Sequence, residues 1–238
     1  MTVDDISTIL SSGVRLTVPL AFAALGEYLA ERAGTMNISV EAMMLGAAFG
    51  SIATASATGS ASAGLVTGIV IGVVIGWIHG NLSHRLAINT FVVGLVLNAL
   101  VLGITSYLIT ISTFDSHQVP LVSIPWLRDI PLIGPPLFVE RWPVYLLIVL
   151  VPLTWWLVER SRWGLELRAV GEQPQAADVT GIRVNLRRRQ ALLWCGALAG
   201  LGGAYLAVGE VGSFNQNMTA GRGYIVIAAV IFGAWRLG

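Results

Sequence analysis

Lysine is absent from this 238-residue chain, whose 14 cationic residues are all arginine. A P-loop needs its lysine to reach the nucleotide phosphates, so ATP hydrolysis by that route is excluded. Cysteine occurs once, as Cys195 in an apolar run, which rules out a disulfide framework or a multi-cysteine metal site and leaves it as a small packing residue. Charge is scarce, 11% of residues against about 25% in a soluble domain, and a net charge of +1 gives no electrostatic basis for binding nucleic acid. His79, Asn81 and His84 cluster with no carboxylate at ligand spacing, so they read as interfacial and neither a metal nor another cofactor is expected. The opening MTVDDISTIL is acidic and lacks a cleavage site, unlike a secretory signal peptide.

What the chain has in abundance is hydrocarbon. Hydrophobic residues make up 55% and the mean hydropathy is +0.76. A bilayer core of about 30 Å needs about 20 apolar residues per helix. Segments 13–30, 36–56, 61–82, 86–110, 142–160 and 190–208 meet or approach this, whereas 223–235 is too short to cross. The expectation is an all-α polytopic membrane protein, a single domain over 1–238, with six transmembrane helices and a truncated seventh segment.

Arginine asymmetry orients the spans. Arg32, Arg85, Arg160, Arg162, Arg168, Arg183 and Arg187–Arg189 all fall on one side, which is therefore cytoplasmic, with the N-terminus outside. The 111–141 loop offsets Arg128 and Arg141 with Asp115, Asp129 and Glu140. Its Pro120, Pro125, Pro131, Pro135 and Pro136 predict a rigid, non-helical outer crossing. Arg15, near the outer end of the first span, is the exception. Trp126, Trp142, Trp155, Trp156 and Trp163 suit an interfacial belt.

Gly64, Gly68, Gly72, Gly76 and Gly80 recur at every fourth position of the third span and lay a groove along one face, against which a neighbouring backbone is expected. Gly196 and Gly200 repeat the device in the sixth. Helix packing is all this spacing implies.

The polar stretch GLELRAVGEQPQAADVTGIRVNLRRRQ, 164–190, stands apart. Pro174 suits a first helical turn and Gly181 a terminus, predicting a helix of about two turns outside the bilayer. Ala176 and Ala177 give it a low-profile surface, and Arg187–Arg189 would sit at lipid headgroups. A solvated loop obeying the positive-inside rule is the alternative that the residues alone leave open.

This stretch resembles the cytoplasmic coupling segment of permease subunits in bacterial ABC importers of the branched-chain amino acid, ribose and nucleoside class. The matching positions are Gly164, Leu167, Arg168, Ala169, Gly171, Ala176, Ala177, Gly181 and Ile182. ERAGTMNISVEAMMLGAAFG, from Glu31, is similar to the signature of the nucleoside and simple-sugar branch, with Ala42 in place of a usual glycine. The resemblance implies a transport subunit of the bacterial inner membrane, not an enzyme, whose pathway carries a nucleoside or simple sugar. It also implies a cytoplasmic ATPase, a second permease subunit of a different chain, and an extracytoplasmic solute-binding protein as partners, with lipid around them. Arg168, Gly171, Pro174, Ala176, Ala177 and Gly181 of the 161–189 segment would then couple to the ATPase. The family continues past GRGYIVIAAVIFGAWRLG with further membrane segments, so the chain is expected to be C-terminally incomplete relative to it. A self-contained secondary transporter or channel is the competing reading, though it would not need the 164–182 segment.

Polar groups inside a membrane are costly unless they face a cavity or a partner. Asn37, Ser39 and Glu41 follow Gly34, where an interrupted helix would present them to a solute pathway; a helix cap by Asn37 and Glu41 is the other reading. Asn98 would contact solute or bridge two helices. Glu27 reads as interfacial, paired with Arg32 or snorkelling.

Overall fold

The computed structural model of the chain describes residues 3–123 and 138–234. Pro125, Trp126, Arg128, Asp129, Pro131, Pro135 and Pro136 lie outside them. Long apolar helices dominate: α1 (Val3–Arg32), α2 (Val40–Thr58), α3 (Ala61–His84), α4 (Thr90–Ile111), α5 (Trp142–Arg160) and α8 (Val184–Ala204), the last running on as a π-helical stretch over Tyr205–Val211. Six of the described helices are long and apolar enough to cross a membrane. Between α5 and α8 stand α6 (Arg162–Glu172) and α7 (Pro174–Val179), and α9 (Arg222–Phe232) closes the order.

The ends follow local chemistry. Ser60 accepts the Ala63 amide at the start of α3, and Asn89 accepts those of Phe91 and Val92 at the start of α4. Gly59 and Gly181 end α2 and α7 with φ of +69° and +89°, which only glycine adopts without strain.

The connection between α4 and α5 contributes two short strands, β1 (Leu121–Ser123) and β2 (Val139–Arg141), paired antiparallel with Val122 opposite Glu140. This ribbon explains Arg15. Its guanidinium lies 3.2 Å from the Glu140 carboxylate, whose side chain is 1% exposed. Burial pushes the Glu140 carboxyl up from its ordinary range while Arg15 opposes that shift.

The bundle is layered. In α2 and the helix from Val184 to Val211, 72% and 83% of the central window is buried, against 22% in α5 and 28% in α4. The first two are core and the others present flanks to their surroundings. The glycine stripe of α3 is what lets α8 in. A Cβ on Gly72 would overlap the Gly196 carbonyl oxygen, and one on Gly76 the Leu192 carbonyl. Gly68 meets Ala204 and Gly200, Gly64 meets the Ser51 carbonyl of α2, and Gly80 meets Arg189. The stripe is thus filled from within the same chain.

Several starts differ from the sequence expectation: α1 begins at Val3 instead of 13, α4 at Thr90 instead of 86 and α8 at Val184 instead of 190. The second helix starts at Val40, not 36, leaving Ala33–Ser39 as a non-helical break in which Ala33, Thr35, Asn37, Ile38 and Ser39 are buried while Gly34 and Met36 are exposed. The last segment, α9, has 11 residues, about 16 Å or half a bilayer core. It begins beside the first turn of α2, where Gly223 packs on Glu41. Phe214 packs edge-on against Phe49, which in turn packs against Phe114 just past the end of α4. Five residues later Thr219 bonds Glu41, eight positions back along α2, or about 12 Å deeper. Residues 212–221 therefore run from the end of the bundle that carries the 111–141 loop to the level of Asn98, near the middle of α4, and α9 runs on from there to pack Val230 among Leu25, Tyr28 and Leu29 of α1.

Candidate functional site

The break at Ala33–Ser39 organises a buried polar core. Asn37 donates its amide to a Glu27 carboxylate oxygen at 3.2 Å and its side-chain nitrogen to Cys195 Sγ at 3.1 Å. Asn37 Oδ1 accepts the Ser39 hydroxyl at 2.6 Å, and Ser39 Oγ lies 2.7 Å from His79 Nδ1. His79 Nε2 lies 2.7 Å from Thr90 Oγ1, whose hydroxyl also donates to the Met36 carbonyl at 3.3 Å. His84 Nε2 and Thr35 Oγ1 stand 3.1 Å apart at the other end of the break.

Glu27 and His79 do not face the surroundings: both are fully buried within the chain. Arg32 is bonded instead to Glu159 at 3.2 Å. The sequence could not show this, because the depth of a residue depends on where the break falls.

Glu41 and Asn98 hold the mid-depth joint. The Glu41 carboxyl group accepts the Thr219 hydroxyl at 2.6 Å and the amides of Gly221 and Gly223 at 2.8 and 2.7 Å. It caps α9 across a separation of 180 residues. Gly223 lies so close to the Glu41 backbone that a Cβ there would overlap it. Asn98 Oδ1 accepts the Ala42 amide at 2.9 Å, while its nitrogen donates to the Ile38 carbonyl and Tyr224 hydroxyl, both at 2.9 Å. It bridges α4, α9 and the first turn of α2, whose orphan amide it satisfies.

The polar segment is built onto the same break. Gly164, Leu167 and Val170, spaced by three, bury one face of α6, and Leu167 joins the cluster containing Leu29 and Val158. Gly171 packs against the Arg32 carbonyl so tightly that a Cβ would overlap it, and Arg188 Nε donates to the Ala33 carbonyl at 3.2 Å. One carboxylate, Glu159 of α5, bonds both Arg168, at 2.7 Å, and Arg32. Pro174 opens α7 at its first turn. Ala176 is exposed but Ala177 is buried, at 5%, since adjacent helical residues point about 100° apart. The outward apolar residue is Val179, 89% exposed. Arg187 pairs with Glu166 at 2.5 Å and Arg189 bonds Asn81 at 3.3 Å, so all three arginines of the cluster have protein partners.

The pattern of the branched-chain amino acid transport system permease component matches residues 9–238. The chain belongs to that permease family. A nucleoside ABC transporter permease of Lactococcus lactis is 34% identical over 98% of this chain and 77% of its own. A guanosine ABC transporter permease of Bacillus subtilis is 30% identical over 97% and 78%. A Haloferax volcanii protein, provisionally named as a glucose ABC transporter permease, is 35% identical over 96% and 71%. No solved structure matches the chain. The permease is a multi-pass membrane transport subunit, not an enzyme, and its family works with an ATPase and a solute-binding protein.

Sequence reasoning missed several residues of the permease. Thr219, Gly221 and Gly223, the partners of Glu41, stand in a TAGRG run just before an apolar stretch, a helix-start signal. Glu159, which joins three helices through two arginines, carried no local signal. Among the described residues no group of acidic, histidine or cysteine side chains is arranged to hold a metal.

Proposed function

We propose that the permease forms the pathway for a nucleoside or simple sugar, and that α6 and α7 are the handle through which a cytoplasmic ATPase moves it. The matched relatives support the solute class, being named for nucleoside, guanosine and glucose transport over most of this chain's length. A second permease subunit of a different chain completes the pathway. Family membership favours this over a self-contained transporter, and the single observation that carries the handle is Val179. It is an apolar residue 89% exposed at the end of a six-residue helix, the kind of knob that a cleft in a partner would cover.

Force on that knob has a short route inward. α7 follows α6 directly, α6 touches the Arg32 carbonyl through Gly171, and Arg188 holds Ala33. The break then leads through Asn37 and Ser39 to His79, and its far end carries Glu41. In this reading Asn37, Ser39, Glu41 and Asn98 position the gate and do not line it, because each is buried and bonded within the chain.

Val179→Arg places an unpaired charge in the proposed contact, at a cost of about 3–5 kcal/mol, or more than a hundredfold in association. Uptake of tritiated adenosine, uridine and ribose by cells carrying the complete transporter is expected to fail, with membrane level and solute-binding protein unaffected. Arg162→Ala, at an exposed position off α7, should leave uptake unchanged. Equal behaviour of the two variants would remove the case for α7 as a handle.

Orientation has its own test. A cysteine at Ser116 should react with an impermeant maleimide in intact cells, and one at Gln175 only after lysis. Labelling of Gln175→Cys from outside would reverse the assignment. The buried Cys195 leaves the parent chain as the unreactive blank.

A further inference from the structure

The descent from Gly212 to Gly221 sets a problem for a membrane protein. Asn215, Gln216 and Asn217 are exposed on irregular backbone lying between the outer end and mid-depth. Among the described residues, neither the amides nor the side chains of Gln216 and Asn217 are donors or acceptors to a side chain, and their amides find no backbone acceptor. Backbone of this kind does not face hydrocarbon, where each unmet group costs several kcal/mol; it is tolerated only where protein covers it or water fills the space. Beside it is a shallow hollow, open to the surroundings, of about 610 Å³, whose other side is α4; it is lined by Ala99, Leu102, Gly103, Ser106, Gln216 and Asn217. Gly103 has open space where a Cβ would stand.

We infer that this hollow is a water-filled solute subsite in the outer half of the pathway, with Gln216, Asn217 and Ser106 as its specificity-determining side chains. Two carboxamides and a hydroxyl offer donors and acceptors together and no charge. Ala99, Leu102 and Gly103 add an apolar wall on which the face of a ring can lie. The chemistry suits a neutral, hydroxyl-bearing ring compound and gives a carboxylate or ammonium group no counter-charge. The subsite rests on the permease reading, and it places solute contacts on α4 and the descending segment instead of on the buried Asn37–Glu41 stretch.

The test uses the complete transporter in its native membrane, with Ser106→Cys, Gln216→Cys and Ile104→Cys compared; Ile104 is exposed on a different face of α4. Thiols react as thiolates, which hydrocarbon does not support, so a hydrophilic maleimide should label the first two at least ~10-fold faster than the third. Labelling of Gln216→Cys should block uptake of adenosine, uridine and ribose, and excess unlabelled solute with its binding protein should slow the reaction. Equal, slow labelling of all three, with Ser116→Cys reacting normally, would overturn the subsite while leaving the permease reading intact. Fast labelling of Ser106→Cys and Gln216→Cys without any effect on uptake would also overturn it. Absence of uptake of all three solutes by the unmodified transporter would instead defeat the proposed solute class, with the labelling contrast still deciding whether the hollow is wet.

Discussion

Glu41→Ala is expected to release α9 and abolish uptake. The carboxyl group accepts three hydrogen bonds of 2.6–2.8 Å from Thr219, Gly221 and Gly223, and no other side chain is bonded to those three donors. Bonds to a charged acceptor contribute about 1.5–3 kcal/mol each, and in alanine the donors are left unmet at mid-membrane depth, where water does not compensate. The helix N-terminus also loses the negative partner that its dipole favours. Thermal unfolding of the purified protein in detergent should show a destabilisation of about 3–5 kcal/mol, the range for breaking a buried charged contact from one side. Glu41→Gln keeps one acceptor oxygen and should fall between the two. An unchanged unfolding midpoint in Glu41→Ala would mean that α9 is held by its apolar packing and by the Asn98–Tyr224 hydrogen bond.

Gly72→Ala should be as damaging although it adds a single methyl group. The added carbon has no cavity to enter, because the Gly196 carbonyl and the Gly200 Cα already occupy the space, and both are backbone that no rotamer change can move. α3 and α8 must separate, and overpacking of this kind costs about 1–3 kcal/mol or more. The same groove then loosens along its length at Gly68 and Gly76. Gly196→Ala strains the same contact from the other side, so the double variant should be far from additive. Gly13→Ala, on the open face of α1, is the matched control and should be silent. Size-exclusion profiles of the detergent-extracted chain alone provide the readout. A monodisperse Gly72→Ala chain that failed only to join its partners would place the groove at an interface between subunits, contrary to its packing here.

The spans were legible because length and apolarity set them directly, and the 20-residue rule found α2 to α5 within four residues of their ends, whereas α1 begins at Val3 instead of 13 and α8 at Val184 instead of 190, where polar residues extend each helix. The glycine groove was legible for a similar reason: regular spacing on one helix survives any tertiary arrangement. What could not be read was depth. Beginning the second helix at 36 put Asn37 and Ser39 on a helix near the interface, whereas starting it at Val40 puts them in a buried break, and Glu27 and His79 are drawn inward with them. Helix phase was lost in the same way at Ala176 and Ala177, since a two-turn helix has too little periodicity to say which of two adjacent alanines faces out. The polar function of Glu41 was visible only as a costly acid in an apolar run, because its partners lie 178–182 residues further along.

That separation has a consequence for how the protein is made. The ribosome delivers α2 long before Thr219, so through most of synthesis Glu41 is an acid in hydrocarbon with none of its native partners. The early helices therefore remain provisional, and the final lock closes only when residues 219–223 emerge and dive between them.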